Sequence, residues 1–225
     1  MNPFLPLFPY TIPLWKRILD LTLCLAAIPF LAVATLLMTI AHQLVSPGPV
    51  FFRQERIGRK GRIFRIYKFR TMSVGADATA HQAYLAQLIG STGPMVKMDA
   101  SGDSRLIPGG WILRATGLDE LPQLINVLRG EMSLVGPRPC VPFEYEKYLP
   151  WQLRRFNATP GLTGLWQVSG RNRTTFDEMI RFDIEYSENQ SLWLDLKIIL
   201  MTAPALPAEV RDTANRLNWQ SAAWR

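Results

Sequence analysis

From Leu21 to Ala41 the chain carries no charged residue. As a helix that run is about 30 Å long, enough to cross the hydrocarbon core of a bilayer. Before it, Pro3, Pro6, Pro9 and Pro13 alternate with Phe4, Leu5, Leu7, Phe8 and Tyr10. The prolines exclude a regular helix, and the apolar side chains suit a membrane interface. After it, Ser46-Pro47-Gly48-Pro49 predicts a rigid turn. Val50 to Phe52 and Ile63 to Tyr67 read as two strands joined by a turn at Gly58-Arg59-Lys60-Gly61. Ser73 to Leu88 has polar helical character, and Gly90 to Gly110 reads as loop. Leu118, Leu121, Leu124, Ile125 and Leu128 then recur at helical spacing. Pro122 is tolerated in a first turn, so this helix is expected to start close to Asp119; Gly130 is a fitting stop.

Pro142 to Asn157 reads as an amphipathic helix interrupted by Pro150. Trp151, Leu153 and Phe156, beside Arg154 and Arg155, suit either a membrane surface or packing on a core. A glycine-rich segment follows from Pro160 to Arg173, where backbone can approach a ligand closely. Phe176 to Glu188 and Ser191 to Met201 read as helices, and the tail after Pro207 as a modest amphipathic helix ending in Trp219 and Trp224. The expected class is α+β, mainly helical. Its parts are an apolar interfacial segment 1–14, a membrane helix 15–47, a catalytic domain 48–204 and a tail 205–225.

Charge refines the picture of the apolar run. Lys16 and Arg17 flank one end, and Arg53, Arg56, Arg59, Lys60 and Arg62 follow the other. A straight span would put one basic cluster outside, against the usual cytoplasmic placement of cations. Cleavage as a signal peptide at Ala32-Val33-Ala34 would leave Thr35 to Ala41 apolar and exposed. A helix that enters the bilayer and turns back keeps both clusters on one side. Pro29 supplies the break.

The 225 residues carry a net charge of +7, with a pI near 9.7. That points to an anionic partner: nucleic acid, a membrane surface or phosphorylated substrates. Cys24 and Cys140 give neither zinc spacing nor a disulfide framework, and His42 and His81 are too few for a histidine-rich metal site.

The candidate chemistry lies at Asp119 and Glu120, adjacent acids at a predicted helix start with Arg114, Arg129 and Arg138 nearby. Taken alone, an acid there is an N-cap. A pair of acids among arginines suits phosphoryl transfer instead: a carboxylate attacks or holds a metal, and cations neutralise phosphate oxygens.

The residues that carry a family resemblance are now in place. They are Lys16-Arg17-Ile18-Leu19-Asp20, Ser46 to Arg56, Lys68-Phe69-Arg70-Thr71-Met72, Asp119-Glu120-Leu121-Pro122-Gln123, Gly136-Pro137-Arg138-Pro139 and the Pro160 to Asn172 loop. In this order the chain resembles the bacterial sugar transferases, the monotopic phosphoglycosyl transferases that load a sugar phosphate onto polyprenyl phosphate. The resemblance covers roughly Trp15 to Pro204. It implies a re-entrant helix at the bacterial inner membrane, a catalytic domain on the cytoplasmic face and a magnesium ion at Asp119 and Glu120. Asp119 would be the covalent nucleophile. Two positions depart from the family pattern. Ile28-Pro29 stands where a Ser-Pro is usual, and Ala115-Thr116-Gly117 replaces Arg-Thr-Ser. Many relatives carry a larger multi-helix membrane region ahead of this domain, so the chain resembles the minimal catalytic form.

The expected reaction is UDP-sugar plus polyprenyl phosphate giving polyprenyl-diphospho-sugar and UMP. Lys68, Arg70, Arg114 and Arg138 are candidate phosphate contacts, and Arg171 a nucleotide contact. The Leu165-Trp166-Gln167-Val168-Ser169-Gly170-Arg171 loop resembles that of hexose-1-phosphate transferases, which implies glucose or galactose. The partners are then membrane lipid and the two substrates, not nucleic acid; a homodimer stays open. The alternative from another class is a membrane-anchored protein that binds anionic lipid or nucleic acid without catalysis.

Overall fold

The computed structural model describes residues 12–76, 79–95, 103, 105–170 and 173–203. The expectations for residues 1–11, for Arg171 and for the tail after Pro207 lie outside them. The described part is mostly helical with two small sheets.

The apolar run forms one helix, α1 (Leu14–Val45), with Pro29 inside it. The expected break does not interrupt the helix. Proline removes one hydrogen bond but fixes φ at a helix-compatible value, so helical conformation continues on both sides of Pro29. Most of α1 is unpacked: Leu25, Phe30, Leu36 and Leu44 are exposed. Its buried positions Lys16, Asp20 and Cys24 recur every fourth residue, and His42 is buried near the far end.

Lys16 and Arg17 are placed otherwise than a membrane flank requires. Lys16 is 1% exposed and donates to the Val135 carbonyl at 2.8 Å, to Tyr186 Oη at 2.8 Å and to Asp195 at 2.5 Å. Arg17 donates to the Val127 and Leu128 carbonyls at 2.5 and 2.6 Å. Asp20 accepts from Ser133 Oγ and the Leu134 N–H, both at 2.9 Å. At the other end a His42 ring nitrogen lies 2.7 Å from the Arg70 carbonyl. Both ends of α1 therefore dock onto the same domain.

That domain opens with the expected hairpin. Strands β1 (Phe51–Ile57) and β2 (Ile63–Phe69) pair antiparallel, with Phe52 opposite Lys68. Lys60 takes a left-handed φ of 56° in the turn. α2 (Thr79–Ile89) begins later than the polar run does. α3 (Gly110–Thr116) leads through Gly117 into a 3-10 helix, Leu118–Gln123, and then α4 (Leu124–Leu128), which stops at Gly130 in a left-handed φ of 75°.

Strand β3 (Ser133–Val135) pairs in parallel with β4 (Gly161–Thr163), a pairing the sequence did not reveal. Gly136 follows β3 so tightly against the other segment that a Cβ there would collide with the Thr159 carbonyl. Pro142 to Asn157 is not one helix but α5 (Pro142–Tyr145) and a 3-10 helix, Pro150–Asn157. Phe156 and Arg155 are buried, so this segment packs on the core rather than presenting both to a membrane. α6 (Leu165–Ser169) occupies the glycine-rich segment. α7 (Phe176–Glu188) begins with a Thr175–Glu178 capping box, and α8 spans 192–203. α8 buries Asp195 and Ile198 and exposes Trp193 and Leu200.

Candidate active site

Gly117 sets the entrance to the acid pair. It closes α3 and opens the 3-10 helix at a φ of 71°, a conformation that costs a serine far more than a glycine. The departure from the family pattern at this position thus supplies the joint. Asp119 and Glu120 fall in the first turn, and neither caps it: the capping position is Gly117, without a side-chain cap bond. The N-cap reading of Asp119 is therefore not what the structure contains.

Asp119 is buried and Glu120 half-exposed. Lys68, on β2, reaches both. Its ammonium lies 2.5 Å from Glu120 Oε1 and 3.9 Å from Asp119 Oδ2. Two carboxylates from one helical turn thus converge on a single cation. The strand brings that cation because Lys68 sits one residue past Tyr67, whose N–H is tied to Asn126 on α4 at 3.1 Å.

A second cationic group gathers around Arg138. Arg138 donates to both Glu144 carboxylate oxygens at 3.3 Å, and Glu144 is fully buried. Burial alone would raise the Glu144 carboxyl. The charges of Arg138, Arg56 and Arg155 outweigh it and hold the group below the usual range. Two further arginines fasten the Pro137-Arg138-Pro139 backbone. Arg56 donates to the Pro139 carbonyl at 3.0 Å, and Arg155 to the Arg138 carbonyl at 2.7 Å. Arg155 also pairs with Asp183 and with Tyr148 Oη. Burial lowers the Arg56 guanidinium, Arg138 lowers it further, and Glu120 is among the acids that support it. Glu120 and Arg138 therefore each lie within electrostatic reach of Arg56.

Other expected contacts are placed differently. The Arg70 guanidinium is 5% exposed as a residue and engages the Pro49 carbonyl, Ser46 Oγ, the Met72 carbonyl and the Ser46 carbonyl. It fastens the Ser46–Pro49 turn to β2. Arg114 stands in the last turn of α3, where its charge reaches Asp103. Sequence reasoning missed Arg56 and Arg155. The one available signal was the place of Arg56 in the Ser46 to Arg56 motif; Arg155 carries none.

The comparisons with known proteins give the family. The family model described as bacterial sugar transferase matches residues 11–208. A galactosyl transferase of Streptococcus agalactiae is 42% identical over 196 residues, covering 87% of this chain and 42% of that protein. A UDP-glucose:undecaprenyl-phosphate glucose-1-phosphate transferase of Caulobacter vibrioides is 42% identical over 92% of this chain and 74% of its own length. An undecaprenyl-phosphate galactose phosphotransferase of Salmonella typhimurium is 39% identical over 84% of this chain and 39% of its own. The chain thus spans less than half the length of two of these relatives. A binding protein without catalysis finds no support among them, since each is named a transferase.

Proposed function

The chain belongs to the bacterial sugar transferase family, and on that premise we propose that it moves a sugar 1-phosphate from a UDP-sugar to a polyprenyl phosphate at the membrane. The observation that carries the reading is the convergence of Asp119 and Glu120 on Lys68 within this family's chain. Glucose or galactose is the proposed sugar, in keeping with the relatives' names.

Asp119 is the proposed nucleophile. A carboxylate oxygen attacks the phosphorus bonded to the sugar. The bond from that phosphorus to the bridging oxygen breaks, and UMP leaves with the electron pair. An oxygen of the polyprenyl phosphate then attacks the same phosphorus, expels the carboxylate and forms the diphosphate. Covalent catalysis divides one displacement between two highly charged phosphates into two steps. Lys68 and Arg138 supply positive charge for the equatorial oxygens.

Asp119 and Glu120 fit a magnesium ion. They are hard oxygen donors already directed at one cation, and Mg2+ is commonly held by one or two carboxylates with substrate phosphates completing its shell. When bound, the ion would offset the charge of the diphosphate.

Membrane placement follows the docking of α1. Lys16 and His42 are 26 residues apart, about 39 Å along a straight helix. A helix crossing the bilayer would put them on opposite faces, yet one domain holds both. This supports a re-entrant α1 with the domain on the cytoplasmic face, where a soluble nucleotide sugar meets a lipid phosphate.

The test uses the first half-reaction. Enzyme, magnesium and UDP-sugar without lipid should exchange labelled UMP into UDP-sugar, and Asp119→Asn should abolish the exchange. Trapped enzyme should gain the mass of a sugar phosphate on the peptide containing Asp119. Exchange that requires polyprenyl phosphate, with no adduct, would replace this route by direct transfer and leave Asp119 a metal ligand.

A further inference from the structure

Asn126 is 0% exposed and lies on α4, seven residues after Asp119. Its amide is engaged on every side. Oδ1 accepts from the Tyr67 N–H at 3.1 Å, while Nδ2 donates to the Arg65 carbonyl at 2.7 Å and to Glu131 Oε2 at 2.7 Å. The orientation is fixed by chemistry: a flipped amide would set its oxygen against a carbonyl and a carboxylate, and its N–H groups against an N–H.

β1 and β2 form a two-stranded sheet, so among the described residues no strand lies along the second edge of β2. Asn126 occupies that edge as one residue of a third strand would, pairing with the carbonyl of one β2 residue and the N–H two residues on. The next residue is Lys68. On the other side, Asn126 is continuous with the acid pair, since the 3-10 helix Leu118–Gln123 runs directly into α4 (Leu124–Leu128). One side chain thus ties the strand that carries the ammonium to the rod that carries both carboxylates.

We propose that Asn126 is a positioning residue of the active site: its amide sets the strand of Lys68 against Asp119 and Glu120, so that the cation lies on the carboxylates before substrate arrives. The proposal rests on the transferase reading for its consequence in turnover. Asn126→Asp keeps size and one acceptor, but it turns an oxygen toward the Arg65 carbonyl and toward Glu131. Asn126→Ala removes all three bonds. In either variant β2 is free to shift at Lys68. An ammonium drawn away leaves the two carboxylates without the cation on which they converge.

The experiment compares wild type with Asn126→Asp and Asn126→Ala, in nanodiscs, by UMP release. The expected result is a loss of about a hundredfold in kcat, the cost of a misplacement near 1 Å. KM for UDP-sugar should stay within a few-fold. A purely structural role would lower the amount of active protein and leave kcat per folded enzyme unchanged. Wild-type kcat, a KM that rises in step with the loss of kcat, or failure of both variants to fold would each overturn the proposal, the last by making Asn126 a folding residue only. The backbone amide signals of Tyr67 and Lys68, compared by NMR in wild type and Asn126→Asp, read the same displacement without turnover. Silence of the wild type toward every UDP-sugar would therefore count against the transferase reading, and unmoved Tyr67 and Lys68 amides against this one.

Discussion

Arg138 and Glu144 show what a single side chain does here. Arg138 presents its guanidinium from a corner whose backbone is held by Arg56 and Arg155, while Glu144, fully buried, accepts from it on both oxygens. Arg138→Lys keeps the charge and loses the fork. Removing a charge-assisted bond costs about 1.5–3 kcal/mol, so kcat/KM should fall roughly ten- to a hundredfold with the circular dichroism spectrum unchanged. Wild-type turnover would reduce Arg138 to a structural role. Glu144 gives a pH prediction. Its carboxyl is held below the ordinary value of about 4.3 by the three arginines, so its contribution to stability is present above that value and lost as pH falls through the lower folded one. Glu144→Gln should lower Tm at neutral pH, and the gap to wild type should close below about pH 4. At this scale the acid pair, Lys68 and Arg138 were legible, because adjacent acids at a helix start and arginine between prolines are unusual patterns. Arg56 and Arg155 were not. The chain carries 25 lysine and arginine side chains that look alike in a sequence, and only packing decides which is buried.

Among the elements, the β1–β2 hairpin was legible from two β-rich runs around a glycine turn. The β3–β4 pair was not: each strand has three residues, and parallel partners far apart in sequence leave no local signal. The contacts at the N-terminal end of α1 were not legible for a different reason. Cations beside an apolar run ordinarily flank a membrane, but Lys16 enters the domain and pairs with Asp195 of α8 at 2.5 Å, beside Tyr186. That pair joins the membrane helix to the last described helix and to the carbonyl of Val135 just before Gly136. Removing one partner of a buried pair leaves an uncompensated charge, so Lys16→Met should destabilise by about 3–5 kcal/mol in urea unfolding of the detergent-solubilised protein. The double replacement Lys16→Met, Asp195→Leu should recover much of that loss, because no charge is then left buried. A double variant as unstable as the single one would show that the Val135 and Tyr186 contacts, rather than the charge balance, hold α1 in place.

For the whole molecule, the question is how one domain reaches a soluble nucleotide and a lipid phosphate together. Two exposed apolar surfaces bear on it: the outer face of α1, with Phe30, Leu36 and Leu44, and the Trp193 and Leu200 side of α8. Lys16 of α1 pairs with Asp195 of α8, so the two helices that carry these apolar surfaces are joined. In the proposed membrane placement both ends of α1 stay on the domain's side, and the apolar middle dips into the lipid. The basic residues after the helix, Arg53, Arg59, Lys60 and Arg62, then face the same leaflet. Accessibility tests this directly. Cys24 and Cys140 are both buried at 0% exposure, so in the folded protein they are shielded from reagent, and single cysteines can be added to the native chain. Cysteines at Asn2 and at Ser73 should both resist an impermeant thiol reagent in intact spheroplasts, and both should react once the membrane is opened. Labelling of the Asn2 position alone would mean that α1 crosses the bilayer and that its N-terminal contacts with the domain do not persist there. Pro29→Leu provides the opposing case. It restores a helix hydrogen bond and removes the kink-prone residue, which favours a straight rod. The docking of Lys16 and Arg17 opposes that change, because a straight crossing would have to extract both from the domain. Pro29→Leu alone should therefore leave Asn2 protected, and Pro29→Leu combined with Lys16→Met should expose it in part of the population. Exposure in the Pro29→Leu protein without the second change would place the control of topology in the proline rather than in the buried ion pair.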